Sequence, residues 1–223
     1  MDKLVDYLCI IQARMNSSRL PAKVMLDLGG KTLLERVYET VSKSKRIDII
    51  VVATSNKLSD DIIEFKLNSI NIPCFRGDLD NVLKRFYDTS NQYPCKNIIR
   101  ITADNPLMDA NIIDILIENY ENDGVNYSMF KNGIYGLSAE VFSKETLDKA
   151  YLNARNNFDR EHVTPYIKEN FLTKIYIMPY PYNQPQLSVS IDTLEDYIKM
   201  QKFYLKYSQY NIDTFLENNS NEN

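Results

Sequence analysis

Residues 7–23 read YLCIIQARMNSSRLPAK, and this stretch decides the fold. Residues 7–11 are a short continuous apolar run, the pattern of a parallel strand buried on both faces. The next segment, residues 12–23, is polar and carries Arg14, Arg19 and Lys23, with no acid between Asp6 and Asp27. A strand that empties into a basic loop is the opening of an open α/β sheet, where ligands bind beyond the carboxyl ends of the strands.

Further strands are expected at residues 49–53, 73–75 and 97–102. Between them lie expected helices at 32–45, capped by Thr32 and Glu35, and at 60–68. A third carries the stripe Leu79, Val82, Leu83, Phe86, Tyr87, and a fourth runs from an Asp109 cap to Tyr120. Strand and helix alternating at this spacing give right-handed crossovers and a largely parallel sheet. The last third is less regular. Strands are expected at 125–129, 174–178 and 187–191, with short helices between the first two. A final helix opens at Asp192-Thr193 with Leu194, Tyr197, Ile198 and Phe203 on its apolar face. The sheet is therefore mixed at this end. Residues 1–217 form one domain in this reading, and residues 218–223 (NNSNEN) a disordered tail.

The 223 residues carry 26 basic and 30 acidic side chains, a net charge of −4 without basic blocks, which argues against nucleic-acid and anionic-membrane partners. No apolar run nears the ~20 residues of a membrane span, and the N-terminus lacks the pattern of a signal peptide. Cys9, Cys74 and Cys95 are odd in number and far apart, as in a reducing compartment; a cytoplasmic location is expected. His162 is the single histidine, which excludes multi-histidine metal sites. Gly29-Gly30-Lys31-Thr32 lacks the earlier glycine of a phosphate-binding P-loop, because that position is Met25. Neither G-x-G-x-x-G nor G-x-S-x-G occurs.

Three stretches carry chemistry. Guanidinium, ammonium and hydroxyl groups in the loop after the first strand suit a polyphosphate, although three basic residues alone also describe a solvated loop. Asp104, in Arg100-Ile101-Thr102-Ala103-Asp104-Asn105-Pro106, follows another strand. It is either a Mg²⁺ ligand beside a triphosphate or a turn residue before Pro106. Asp192 is either a neighbour of a helix cap or a second carboxylate at the same metal.

IIQARMNSSRLPAKVM, FRGDLDNVLKRFY, RITADNPLMD, DREHVTPYI and SIDTLEDY occur in this order. Together, across residues 8–205, they resemble the cytidylyltransferases of the spore-coat polysaccharide type, related to the acylneuraminate and manno-octulosonate enzymes. The resemblance implies a Rossmann-like three-layer α/β nucleotidyltransferase domain, Mg²⁺ dependence and a homodimer. It assigns Gln12, Ala13, Arg14, Ser18, Arg19 and Lys23 to CTP, with Arg76, Asp78 and Asn81 near the nucleoside. Asp104 and Asp192 would hold the metal. Glu140, Arg160 and His162 would lie toward an anionic sugar or polyol. For Glu140 a solvated edge position, and for His162 a structural hydrogen bond, are the alternatives. Ser138 stands where the family usually has an acid, which leaves nucleotidyl transfer intact and the acceptor open. Two other classes remain at this point. A glycosyltransferase would carry an Asp-x-Asp metal pair at the end of an apolar strand, and none occurs there. The other is a non-catalytic nucleotide-binding protein.

Overall fold

The run at residues 7–11 becomes the middle of strand β1 (Val5–Gln12), with Leu8 to Ile11 fully buried. The structure is a computed structural model that describes residues 3–220. β1 is central. It pairs in parallel with β2 (Ile49–Ser55) on one side and β4 (Cys95–Thr102) on the other, and β3 (Cys74–Gly77) extends the sheet in parallel beyond β2. The other edge is mixed. β6 (Glu140–Ser143) runs antiparallel to β4, β5 (Tyr127–Lys131) antiparallel to β6, and β7 (Thr173–Ile177) parallel to β5. The strand order is β3-β2-β1-β4-β6-β5-β7.

Helices cover both faces, because alternate residues of β1 feed two separate cores. Tyr7, Cys9 and Ile11 join the core under α1 (Leu33–Val41), α2 (Asp61–Ser69), α4 (Ala110–Asp123), α8 (Leu194–Lys206) and α9 (Ile212–Ser220). Leu8 and Ile10 join the core under α3 (Val82–Gln92), α5 (Lys144–Asn153) and α7 (Pro165–Asn170). Short α6 (Asn157–His162) packs beside α3. The Thr32–Glu35 capping box and the Asp109 cap form as expected. α4 runs on to Asp123 and stops where Gly124 adopts a left-handed φ of 60°.

The last third departs from expectation. Residues 187–191 do not join the sheet. They make one isolated bridge, Ser188 to Tyr135, and then hydrogen-bond from the Ile191 amide to the Asp104 carbonyl. Their apolar pattern reports burial of Val189 and Ile191, not a ladder. β6 is an addition to the expected strands, because four residues that begin with a glutamate give no strand signal. The apolar face of α8 is rotated: Met200, Phe203 and Tyr204 are buried, whereas Leu194 and Ile198 are exposed. α9 explains the rotation, since Ile212, Phe215 and Leu216 pack inward and Phe215 meets the Phe203 ring at 5.7 Å. The expected tail is helical as far as Ser220. Residues 221–223 lie outside the described residues.

Candidate active site

The basic loop is fastened at its root by a residue from another element. Asp60, fully buried ahead of α2, accepts hydrogen bonds from the Met15 amide at 3.0 Å, Thr54 Oγ1 at 2.9 Å, and the Ser55 amide and hydroxyl at 3.0 and 2.6 Å. Burial pushes the Asp60 carboxyl up, but these donors outweigh it and hold the group below the ordinary carboxylate range. The loop closes where the Ala22 amide bonds the Met15 carbonyl at 2.9 Å, with Ala22 left-handed at φ 60°. That turn sends Lys23 back into the protein.

Lys23 Nζ sits between two carboxylates. It lies 2.8 Å from Asp104 Oδ2 and 2.9 Å from Asp192 Oδ1, and it bonds the Ile191 carbonyl at 2.9 Å. Arg19 Nη2 also reaches Asp192 Oδ1, at 2.9 Å. Asp104 follows β4. Asp192 precedes α8, whose own start is fixed by a Thr193–Asp196 capping box. Asp192 is thus free of capping duty. The two carboxylates converge on a single cation position, which the lysine ammonium fills. Two carboxylates with substrate phosphates are a sufficient donor set for Mg²⁺. Among the described residues no group of three or more His, Cys, Asp or Glu side chains is arranged for a metal. The residues therefore fit a metal that arrives with a nucleotide, not a self-sufficient protein cage.

Two clefts meet at this cluster. The first is lined by Gln12, Ala13, Arg14, Ser18, Arg19 and Lys23, with Val82 and Arg85 of α3 at one end. The second, about 600 Å³, is lined by Asn105, Tyr135, Ser138, Glu140 and Ser190. Arg19, Arg100, Thr102, Asp104, His162 and Asp192 face both. A group bound in one cleft can therefore reach a group bound in the other across these six residues.

Glu140 is not a solvated edge residue. It is 7% exposed and accepts from Tyr127 at 2.5 Å and Thr164 at 2.9 Å, with Lys168 Nζ at 2.8 Å and Arg100 paired on its other oxygen. Burial raises its pKa, yet Arg100 and Lys168 dominate and carry it down to about 2. Arg100 Nε in turn bonds Gln12 Oε1 at 3.0 Å. Glu140 thereby aims an arginine that stands at the junction of the clefts. Ser138, in the position of the missing acid, donates to the Phe130 carbonyl at 3.0 Å.

Other expected site residues are placed differently. Arg76 is spent on scaffold: it bonds the Ser55 and Lys57 carbonyls and pairs with Asp61 and Glu64. The resemblance places it near the nucleoside, but its side chain points to α2. Asp78 accepts the Asp80 and Asn81 amides, and Asn81 caps α3. Asp78, Asn81 and Arg160 line a third hollow with Arg14 and Glu161, so Arg160 lies on the α3 side and not in the second cleft. Three residues went unrecognised in the sequence: Asp60, Arg85 and Arg100. Arg85 and Arg100 stood inside quoted motifs, within an amphipathic helix and a strand. Asp60 enters the sequence reading only as the first residue of the helix expected at 60–68.

The chain belongs to the cytidylyltransferase family, whose model matches residues 8–220. It is 35% identical over 209 residues to the spore coat polysaccharide biosynthesis protein SpsF of Bacillus subtilis, covering 90% of this chain and 87% of that protein. An uncharacterized protein of Methanocaldococcus jannaschii is 42% identical over 201 residues, 87% of this chain and 83% of that one. Among solved structures, a cytidylyltransferase from Leptospira borgpetersenii superposes with a TM-score of 0.86 at 28% identity, covering 97% of this chain and 96% of that chain. Among the described residues no helix is long and apolar enough to cross a membrane.

Proposed function

We propose that the chain transfers a cytidylyl group from CTP to an anionic sugar or polyol, with release of pyrophosphate, in the synthesis of a surface polysaccharide. The observation that carries this reading is the convergence of Lys23, Arg19, Asp104 and Asp192 where the two clefts meet. An acceptor oxygen attacks the α-phosphorus in line, the new O–P bond forms, and the bond to the β-phosphate oxygen breaks. Such a transfer asks the protein for position and for charge neutralisation. Arg14, Arg19 and Lys23 would neutralise the departing pyrophosphate, and Ser18 would add a hydroxyl donor. Asp104 and Asp192 would hold Mg²⁺, which when bound offsets phosphate charge. Lys23 relieves the repulsion between these carboxylates until the metal and nucleotide arrive.

The second cleft would seat the acceptor, with Arg100 and His162 at its junction. The acceptor we favour is phosphorylated, because a phosphate is already ionised at neutral pH and needs no base. Asp104 and Asp192 are both engaged by cations, and Glu140 is held ionised and paired. Among the described residues that line the second cleft, His162 is left as the candidate base. Pyrophosphate release is to be followed with CTP and Mg²⁺ against sugar phosphates, polyol phosphates, nonulosonic acids and octulosonic acids. Turnover with a phosphorylated acceptor is expected. Turnover confined to an unphosphorylated ulosonic acid would remove the acceptor preference, and no release with any member of the panel would count against cytidylyl transfer itself.

A further inference from the structure

His162 faces both clefts, yet it ends a helix of only six residues and its side chain is exposed. A residue so placed ordinarily frays with the helix end. The chain beyond it is unusual. Val163 has φ 69° and ψ −53°, and the Thr164 amide donates to the His162 carbonyl at 2.8 Å. Together these define a γ-turn of the rare, strained kind, opposite in sign to the common inverse form. A β-branched residue at positive φ is a genuine outlier. Among the described residues the other non-glycines at positive φ are Ala22, Asn71 and Asn132, none of them β-branched.

Such a conformation persists only where its surroundings over-determine it. Here they hold it from both sides. The Val163 amide bonds the Asp159 carbonyl at 3.0 Å, and buried Asp159 is itself held by Asn156 at 2.7 Å. The Val163 side chain is fully buried in the core under α3, α5 and α7. On the far side Pro165 opens α7, and Thr164 Oγ1 donates to Glu140 Oε1 at 2.9 Å. A glycine would reach the same φ without steric cost, but it would lack the buried side chain that locks the turn.

The turn spans His162 to Thr164, so it ties the imidazole to the Glu140 cluster. Glu140 pairs with Arg100 through its other oxygen, and Arg100 faces the same two clefts as His162. From His162 to Arg100 the joints are one strained turn, a hydrogen bond between two buried side chains and a largely buried ion pair. None of these is a flexible link. Phe158, one turn back on α6, lays its ring against the imidazole with centroids 4.5 Å apart. It is 62% exposed, too open to fix the imidazole by itself.

Building on the cytidylyl-transfer reading, we propose that Val163 is a positioning residue whose strained turn fixes His162 relative to Arg100 at the junction of the clefts. Val163 is fully buried and lines neither cleft, so it acts through the backbone of His162 and Thr164. Misplacing a group by about 1 Å at a reacting centre costs on the order of 10²-fold in rate, the scale on which a relaxed turn is felt.

The single histidine is its own probe. In the full chain carrying ¹³C-labelled histidine, His162 gives the one imidazole resonance. Wild type is expected to show one sharp signal, with backbone order parameters at residues 162–164 near about 0.85; values below about 0.6 there would overturn the proposal. Val163→Ala keeps the steric cost of positive φ without the anchor, and Val163→Gly removes both. In each the imidazole signal is expected to broaden or split. Val51→Ala, a matched truncation on β2 in the same core, is expected to leave it as in wild type. With CTP and the acceptor panel, Val163→Gly should lower kcat about 10–100-fold with KM for CTP within about twofold, and Val163→Ile, which keeps a branched anchor, should restore most of it. An unmoved imidazole signal in folded Val163→Gly, or an equal change in Val51→Ala, would overturn the positioning role. Should the variants at 163 fail to fold, the wild-type order parameters decide. No turnover by wild type would overturn the cytidylyl reading alone, since the resonance still reports on the turn.

Discussion

Replacing Asp60 by alanine removes the acceptor that fastens the basic loop to the sheet. Five donors converge on this fully buried carboxylate: the hydroxyls of Thr54, Ser55 and Ser59, and the amides of Met15 and Ser55. The hydroxyls can rotate to new partners, but the amides are fixed by the backbone. Each orphaned buried donor costs about 1–3 kcal/mol. Relief from burying a carboxylate offsets part of this, so the net loss is on the order of 3 kcal/mol. For a domain of this size that is a fall in Tm of roughly 6–12 °C. The Met15 amide is also the loop's root, so KM for CTP should rise by about tenfold while kcat falls less, because the lost interaction positions the loop in ground and transition states alike. Asp60→Asn keeps the volume and one acceptor oxygen and should fall between. The sign with pH comes from the depressed pKa: the carboxylate's contribution is present above its unfolded value and is lost as pH falls through the folded one, so the acid limb of the stability curve should be flatter in Asp60→Asn. Thermal melts and CTP-dependent kinetics on both variants check this. A Tm within about 2 °C of wild type for Asp60→Ala, or an unchanged KM, would refute the reasoning.

Lys23→Met should lower kcat by about 10²–10³ with little change in far-UV circular dichroism, since the ammonium serves developing charge; near-wild-type turnover at saturating CTP would contradict it. Asp104→Asn and Asp192→Asn should each remove most activity, as should EDTA, and Mg²⁺ should bind weakly alone and tightly with CTP in calorimetry. Glu140→Gln should cost about 3–5 kcal/mol in denaturant unfolding, because Arg100 and Lys168 lose a buried counter-charge. Its acid limb should be flatter below the ordinary glutamate range, since the wild-type carboxyl titrates at about 2 and its stabilisation fades only as pH falls toward that value. Arg76→Ala should lower Tm by a few degrees and leave KM for CTP within about twofold, because the side chain braces α2 outside the cleft; a large rise in KM would place it at the nucleotide after all.

The parallel half of the fold was legible because its strands are buried on both faces and its helices carry their own caps. Each element there announces itself locally. The mixed half is built by contacts between distant segments: β6 is held by β4 and β5 and by the Glu140 ion pairs, and residues 187–191 are held by a loop at Tyr135 and Asp104. No local pattern encodes such partners. The same division holds for the site. Lys23, Asp104 and Asp192 were found because each follows a strand or opens a helix. That Lys23 would bridge the two acids could not be read from residues 81 and 169 positions apart. Arg76 shows the converse, since a residue within a recognisable motif can be turned to bracing. Asp60 and Arg85 were hidden because a buried charged residue and an exposed one look alike until their neighbours are known.

The stitch between Ile191 and the elements around Asp104 and Lys23 has a consequence for synthesis. During translation the basic loop and Asp104 emerge well before residue 192, while the core beneath β1 is completed only by α8 and α9. The carboxylate from residue 192 and the carbonyl that steadies the lysine arrive last, joined across 168 residues of chain. A nascent or truncated chain ending before that point would carry the loop and Asp104 without the Asp192 half of the reacting centre. On the proposed reading, competence for transfer is thus withheld until residue 192 has been made, long after the basic loop and Asp104, and a product terminated before it would lack that half of the centre.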